Sequence, residues 1–93
     1  MSGARKIIDV RTAEEFAEAH VESAVNLNVE DGTLETALAG MDPSASYVVY
    51  CRSGRRSAIA AQLMADRGFG DITDLGTLEN AAAVLGAAVV SAG

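Results

Sequence analysis

Cysteine, proline and tryptophan are scarce in this 93-residue chain, which has one cysteine, one proline and no tryptophan. Because Cys51 is alone, no disulfide can form within the chain, which excludes a disulfide-stapled secreted scaffold and favours a reducing, cytoplasmic compartment. Aromatic residues make up only 4% of the chain, so its core must be small and mainly aliphatic. The length suits one domain, and we predict that residues 1–93 form a single unit.

Basic residues are also few. Seven Lys and Arg stand against thirteen Asp and Glu, which gives a net charge of −6. Long-range attraction to nucleic acid or to anionic lipid is therefore unfavourable, and we expect neither a nucleic-acid nor a membrane partner. The first residues lack the apolar stretch of a signal peptide, and no uncharged run reaches the roughly 20 residues that span a bilayer.

Short β-branched and aromatic runs alternate with helix-forming segments along the chain. The predicted strands cover residues 7–10, 24–27, 47–50 and 72–75, and the predicted helices begin near residues 12, 33, 57 and 77. Strands that alternate with helices predict an α/β fold, with a mostly parallel sheet and helices on both of its faces.

Helical spacing predicts which side chains cap the helices, which face solvent and which face the core. Thr12 and Glu15 have the spacing of a capping box, and Thr33 is a candidate cap for the second helix. Three acidic residues of the first helix are expected to face solvent: Glu14, Glu15 and Glu18. Three apolar residues of the third helix are expected to face the core: Ile59, Leu63 and Met64.

The segment from residue 51 to residue 57 reads Cys-Arg-Ser-Gly-Arg-Arg-Ser and joins an apolar strand to a helix. Backbone N–H groups at a helix start lack intrahelical partners and can turn toward the sulfur of Cys51. Gly54 supplies the left-handed conformation of a tight curl, and Ser57 can cap the helix or donate to a sulfur anion. The carboxyl end of a parallel strand is also where ligands bind in such sheets.

Three of the seven basic residues lie in this segment: Arg52, Arg55 and Arg56. Cations and a helix start both stabilise a thiolate, so the pKa of Cys51 should be lowered and its sulfur should be nucleophilic near neutral pH. The alternative is that Cys51 is an inert, buried, small apolar residue. The glycine and the three arginines favour the functional interpretation.

The spacing within the segment indicates which chemistry it serves. A cysteine-phosphatase cradle needs an arginine six positions after the cysteine, and that position is Ser57 here. Arg56 closes a ring that is one residue shorter. The smaller ring suits a single sulfur atom attached to Cys51, with backbone donors converging on its terminal anion.

This segment resembles the active-site loop of the rhodanese family of sulfurtransferases. Asp9-Val10-Arg11, followed by Thr12, Glu15 and Phe16, resembles the first motif of that family, and residues 20–26 resemble its His-Ile-x-Gly-Ala-x-Asn motif. The resemblance covers about residues 6 to 80, and the length is similar to that of single-domain members. Ala19 and Ser23 depart from it, because the family often has glycine there, as does Gly76-Thr77, where the family usually has two glycines.

The resemblance implies a role for each residue of the site. Cys51 would be the sulfur-accepting nucleophile, and the substrate-binding loop would comprise Arg52, Ser53, Gly54, Arg55, Arg56 and Ser57. Asp9, Arg11 and His20 would belong to the supporting scaffold, with an ion pair between Asp9 and Arg11 and a structural role for His20. No second cysteine or histidine accompanies His20, so a metal site lacks ligands. The implied sulfur transfer requires no cofactor.

The implied activity is transfer of sulfane sulfur through a Cys51 persulfide, from a small anionic donor such as thiosulfate to cyanide or a thiol. A protein could also accept the sulfur. Two alternatives stay open from the sequence: a persulfide carrier or binding module that serves a partner protein without turnover, and a phosphatase or arsenate reductase on the same fold.

Overall fold

The computed structural model describes residues 5–91 and contains six strands and four helices in that range. The strands are β1 (Lys6–Asp9), β2 (His20–Val21), β3 (Val25–Asn26), β4 (Ser46–Cys51), β5 (Asp71–Thr77) and β6 (Val89–Val90). The helices are α1 (Ala13–Glu18), α2 (Thr33–Leu38), α3 (Arg55–Asp66) and α4 (Leu78–Leu85). No helix among these residues is long and apolar enough to cross a bilayer.

The central sheet has the order β3-β1-β4-β5, and all of its neighbouring strands are parallel. Strand β4 lies between β1 and β5, as its uncharged, apolar sequence predicts for a strand covered on both faces. Strands β2 and β6 form a separate antiparallel pair, which was not predicted because each contributes only two residues. The predicted α/β class with a mostly parallel sheet is confirmed.

Helices cover both faces of the sheet. Successive side chains of β4 point to opposite faces, so Tyr47, Val49 and Cys51 join the core formed with α2 and α3. Val48 and Tyr50 join the core beneath α4. The prediction of helices on both faces is therefore confirmed, and Cys51 lies between the sheet and α3.

Two helix starts differ from the prediction. Helix α3 begins at Arg55 rather than Ser57, and Gly54 occupies its N-cap position without a side-chain cap. With this start, residues 57, 60 and 64 face the sheet, so Met64 is buried while Ile59 is 53% exposed, and the predicted core position of Ile59 is wrong. Thr33 is the first residue of α2 and not its cap, since Gly32 precedes it with a φ of 87°.

The predicted capping box is confirmed, since Thr12 and Glu15 form it at the start of α1. Helix α4 begins beside residue 77 as predicted, and the structure adds that the Thr77 hydroxyl accepts a hydrogen bond from the N–H of Asn80. Ser23 has a φ of 75°, a left-handed conformation that glycine adopts with less strain. This backbone requirement explains why glycine suits that position.

Candidate active site

Cys51 is the last residue of β4 and is fully buried at the carboxyl end of the parallel strands. Its neighbour across the sheet is Thr77, the last residue of β5. Only three residues separate Cys51 from α3, and Gly54 makes the turn with a φ of 95°. The left-handed conformation predicted for Gly54 is present, and it directs the start of α3 back toward the sulfur.

The sulfur of Cys51 is surrounded by hydrogen-bond donors. The N–H of Gly54 donates to Sγ at a distance of 2.9 Å. Burial of the thiol raises its pKa, but the nearby N–H and hydroxyl of Ser57 and the N–H groups of Gly54 and Ser53 lower it further than burial raises it. The pKa of Cys51 therefore lies below its ordinary value.

Ser57 has a different position from the predicted one. It is the third residue of α3 rather than its cap, and it is fully buried. Its hydroxyl oxygen lies 3.1 Å from the carbonyl oxygen of Gly54, to which it donates. Since the hydroxyl also lowers the pKa of Cys51, rotation about its C–O bond can bring its proton to a sulfur anion.

We expect the thiolate of Cys51 to form at a lower pH than in an unperturbed cysteine, whose pKa is about 8.5. Ser57→Ala should raise the pKa of Cys51, because it removes the hydroxyl donor. The rate of alkylation by iodoacetamide, followed against pH, measures both midpoints. Ser44→Ala, at an exposed position, is the matched control, and equal midpoints in Ser57→Ala and wild type would contradict this assignment.

The three arginines of the segment do not form one cluster around the sulfur. Arg52 and Arg55 are exposed, whereas Arg56 is partly buried and donates to both carboxylate oxygens of Glu15 at 2.7 and 3.0 Å. Glu30 lies 3.7 Å from the same guanidinium. The lowered pKa of Cys51 therefore arises mainly from nearby N–H and O–H donors at the start of α3, which is one of the two predicted causes, and not from the arginines, which are the other.

Glu15 is consequently not a solvated residue, although it was predicted to face solvent with Glu14 and Glu18. The hydrogen bonds from Arg56 lower the pKa of Glu15 to about 2, and those from Thr12 add to the effect. Glu14 and Glu18 are exposed as predicted. Glu15 thus joins α1 to the first turn of α3.

The expected ion pair between Asp9 and Arg11 is present and buried. Arg11 donates from Nε at 2.9 Å and from Nη2 at 2.6 Å to the two carboxylate oxygens of Asp9. Its Nη2 also donates to the carbonyl oxygen of Ala19, which follows α1. The side chain of Asn26 donates to the carbonyl oxygens of both Asp9 and Arg11. This network joins the end of β1 to β3 and to the end of α1.

His20 lies in β2 and is nearly buried, with 9% of its surface exposed. Its ring stacks on Phe16 with the centroids 3.7 Å apart, and its Nδ1 donates to the carbonyl oxygen of Phe16 at 2.7 Å. These contacts are those of a packing residue. Within residues 5–91, no three His, Cys, Asp or Glu side chains are placed to hold a metal ion.

Comparison with known proteins agrees with this geometry. Residues 1–79 match the family described as the rhodanese-like domain, so the chain belongs to the rhodanese-like sulfurtransferase family. Thiosulfate sulfurtransferase PspE of Escherichia coli K12 is 31% identical over 75 residues, covering 81% of this chain and 72% of that protein. Thiosulfate sulfurtransferase GlpE of Shewanella oneidensis is 34% identical over 70 residues, covering 75% and 67%.

A third relative has a different description. The putative sulfur carrier protein YrkF of Bacillus subtilis is 35% identical over 63 residues, which cover 68% of this chain but only 33% of that protein. Among solved structures, a rhodanese from E. coli determined with anions superposes with a TM-score of 0.78 at 27% identity, covering 95% of this chain and 99% of the other. The relatives therefore include proteins described as thiosulfate sulfurtransferases and one described as a putative sulfur carrier.

Proposed function

We propose that this protein is a thiosulfate sulfurtransferase that carries sulfane sulfur on Cys51. The observation that carries the proposal is the convergence of backbone N–H donors on the buried sulfur at the start of α3, with the hydroxyl of Ser57 beside it. Such donors stabilise a thiolate before reaction and a persulfide anion after it. The relatives described as thiosulfate sulfurtransferases support the same donor.

The proposed reaction has two half-reactions. In the first, the Cys51 thiolate attacks the outer sulfur of thiosulfate, the sulfur–sulfur bond of the donor breaks, and sulfite leaves with the electron pair. In the second, cyanide or a thiolate attacks the outer sulfur of the persulfide, and Cys51 leaves as a thiolate. Neither half-reaction needs an external oxidant or reductant. The loop from Arg52 to Ser57 would bind the donor, while Asp9, Arg11 and His20 hold the surrounding scaffold.

The mass of the intact protein after exposure to thiosulfate tests the first half-reaction. We expect a gain of one sulfur atom, which cyanide then removes as thiocyanate. Alkylation of Cys51 before exposure should prevent the gain. A wild-type protein that gains no sulfur under these conditions would contradict the proposal.

A sulfur carrier is the second candidate, since YrkF is described as one. A carrier would accept sulfur on Cys51 from a protein donor and would turn over thiosulfate and cyanide slowly or not at all. Loading without turnover would therefore favour the carrier. A phosphatase or an arsenate reductase is disfavoured because Ser57 occupies the position of the phosphate-binding arginine, and hydrolysis of a phosphate ester would reveal the former.

Arg55, like Arg52, is an arginine of the loop that can recruit an anionic donor. It is exposed at the start of α3, and it forms no ion pair among residues 5–91, whereas Arg56 is held by Glu15. We expect Arg55→Ala to raise KM for thiosulfate, with kcat/KM lowered about 2- to 10-fold, because one exposed cation near the site is lost.

Steady-state kinetics at two ionic strengths measure this effect, which salt should weaken. Arg67→Ala is the matched control, because Arg67 is an exposed cation at the other end of α3. Equal kinetic constants for Arg55→Ala and wild type would show that the donor is not captured electrostatically at this position.

A further inference from the structure

A small cavity lies beside the Cys51 loop and has both signs of charge in its wall. Its volume is about 190 Å³, and its charged lining residues are Arg11, Arg52, Glu15, Glu18 and Glu79. Sites for drug-sized ligands typically measure about 300–1,000 Å³, so this cavity admits only a small group. Ala19 and Leu78 supply the apolar part of its wall.

The cavity shares Arg52 with the loop that follows Cys51. Arg52 follows Cys51 directly, and Thr77 is paired with Cys51 across the sheet. Leu78 and Glu79 are the next two residues after Thr77 and form the start of α4. A small molecule in the cavity would therefore lie next to the loop that holds the sulfur.

Some of these charges are already balanced. Glu15 pairs with Arg56, and Arg11 pairs with Asp9. Among residues 5–91, Arg52, Glu18 and Glu79 form no ion pair, although all three line the same cavity. One cation and two carboxylates are thus available to a ligand, and they suit a group that carries a positive charge as well as a negative one.

Arg11 is the buried cation in the wall of this cavity. Its side chain is only 6% exposed, and its Nε and Nη2 donate to Asp9 and Ala19, but its Nη1 makes no hydrogen bond within the described residues. Among these residues no fully buried side-chain nitrogen lacks a partner, so Nη1 is not an orphaned buried donor. Arg11 also lines the cavity, so its guanidinium is the buried cation there to which a carboxylate would bind.

We propose that this cavity binds the α-amino-acid group of a thiol acceptor, with its carboxylate on Arg11 and Arg52 and its ammonium group on Glu18 and Glu79. The acceptor class is a small zwitterionic thiol such as L-cysteine. This inference rests on the proposed function, because it names the acceptor for the second half-reaction of that site.

The chemical step needs no additional reagent. The acceptor thiol loses its proton to solvent, and its thiolate attacks the outer sulfur of the Cys51 persulfide. A new sulfur–sulfur bond forms on the acceptor while the bond between Sγ and the outer sulfur breaks, and Cys51 leaves as a thiolate with that electron pair. The product is the persulfide of the acceptor.

Discharge of preloaded protein by four thiols tests the proposal. L-cysteine has both charges, cysteamine only the ammonium group, 3-mercaptopropionate only the carboxylate, and 2-mercaptoethanol neither. Each variant is compared with wild type for the same thiol, so differences in thiol reactivity cancel. Preloading keeps any effect on thiosulfate capture out of the measurement.

We expect Glu79→Gln to lower kcat/KM about 3- to 10-fold for L-cysteine and cysteamine and less than about 2-fold for the other two thiols. Arg52→Gln should lower kcat/KM for L-cysteine and 3-mercaptopropionate but not for cysteamine. Glu14→Gln is the matched control, because Glu14 is an exposed carboxylate of α1 that does not line the cavity. Equal effects of Glu79→Gln on all four thiols would overturn the proposal.

A binding measurement separates this proposal from the proposed function. L-serine has the same amino-acid group without a thiol, so it should shift the backbone NMR signals of Ala19 and Leu78 in wild type and much less in Glu79→Gln. If wild type gains no sulfur from thiosulfate, the proposed function fails, and the L-serine titration still shows whether the cavity binds an amino-acid group. If wild type gains sulfur but L-serine leaves those signals unchanged, only the cavity proposal is wrong.

Discussion

Cys51→Ser is expected to abolish sulfur transfer from thiosulfate to cyanide while the protein stays folded. Cys51 is the only thiol of the chain, and a serine hydroxyl cannot form a persulfide. A hydroxyl is close in size to a thiol and can accept the hydrogen bond from Gly54, so the free energy of unfolding should change by no more than about 1 to 2 kcal/mol. Thiocyanate formation and thermal unfolding, measured on the same preparation, check both expectations.

A second variant separates the presence of a thiol from its position. Cys51→Ser combined with Ser53→Cys moves the only thiol two residues along the loop to an exposed position. That thiol lies outside the set of donors near Sγ of Cys51. Since one oxyanion-hole donor alone is worth about 10²–10³ in rate, we expect thiocyanate formation by this double variant to stay at least about 100-fold below wild type. Wild-type thiocyanate formation in either variant would rule out the Cys51 persulfide.

The active-site segment was visible in the sequence because its parts are contiguous. The strand, the cysteine, the glycine at the turn and the helix start follow one another within about ten residues, so local rules predict their arrangement. The capping box of Thr12 and Glu15 was found for the same reason. Even so, the start of α3 was predicted two residues too late, since Arg55 and Arg56 can be loop or helix residues and nothing local decides between them.

Contacts between distant segments were not visible in this way. Glu15 and Arg56 are 41 residues apart, and helical spacing alone placed Glu15 on the solvated side of α1 with its acidic neighbours. The cavity near the Cys51 loop is lined by residues of α1, of that loop and of α4. No sequence motif marks its carboxylates, so the cavity could not be predicted from the sequence. Strands β2 and β6 are defined by their pairing with each other. A two-residue segment is too short to show the alternating pattern from which a strand is predicted.

Asp9→Ala should cause the largest loss of stability of any variant considered, because it leaves the buried guanidinium of Arg11 without its carboxylate. Asp9 is fully buried, and it accepts hydrogen bonds from the N–H, Nε and Nη2 of Arg11. Removing one partner of a buried ion pair typically costs about 3–5 kcal/mol. For a domain of this size the midpoint of thermal unfolding should fall by roughly 12 to 40 °C.

An exposed ion pair provides the matched control. Glu35 pairs with Arg67 on the surface, and its side chain is 56% exposed, so Glu35→Ala should cost no more than about 1 kcal/mol. If Asp9→Ala fails to fold, Asp9→Leu combined with Arg11→Met removes both charges together and should recover part of the loss, since no unpaired charge then remains buried. Chemical denaturation of the three variants measures these differences. A loss in Asp9→Ala as small as that in Glu35→Ala would show that the Asp9–Arg11 pair does not stabilise the end of β1.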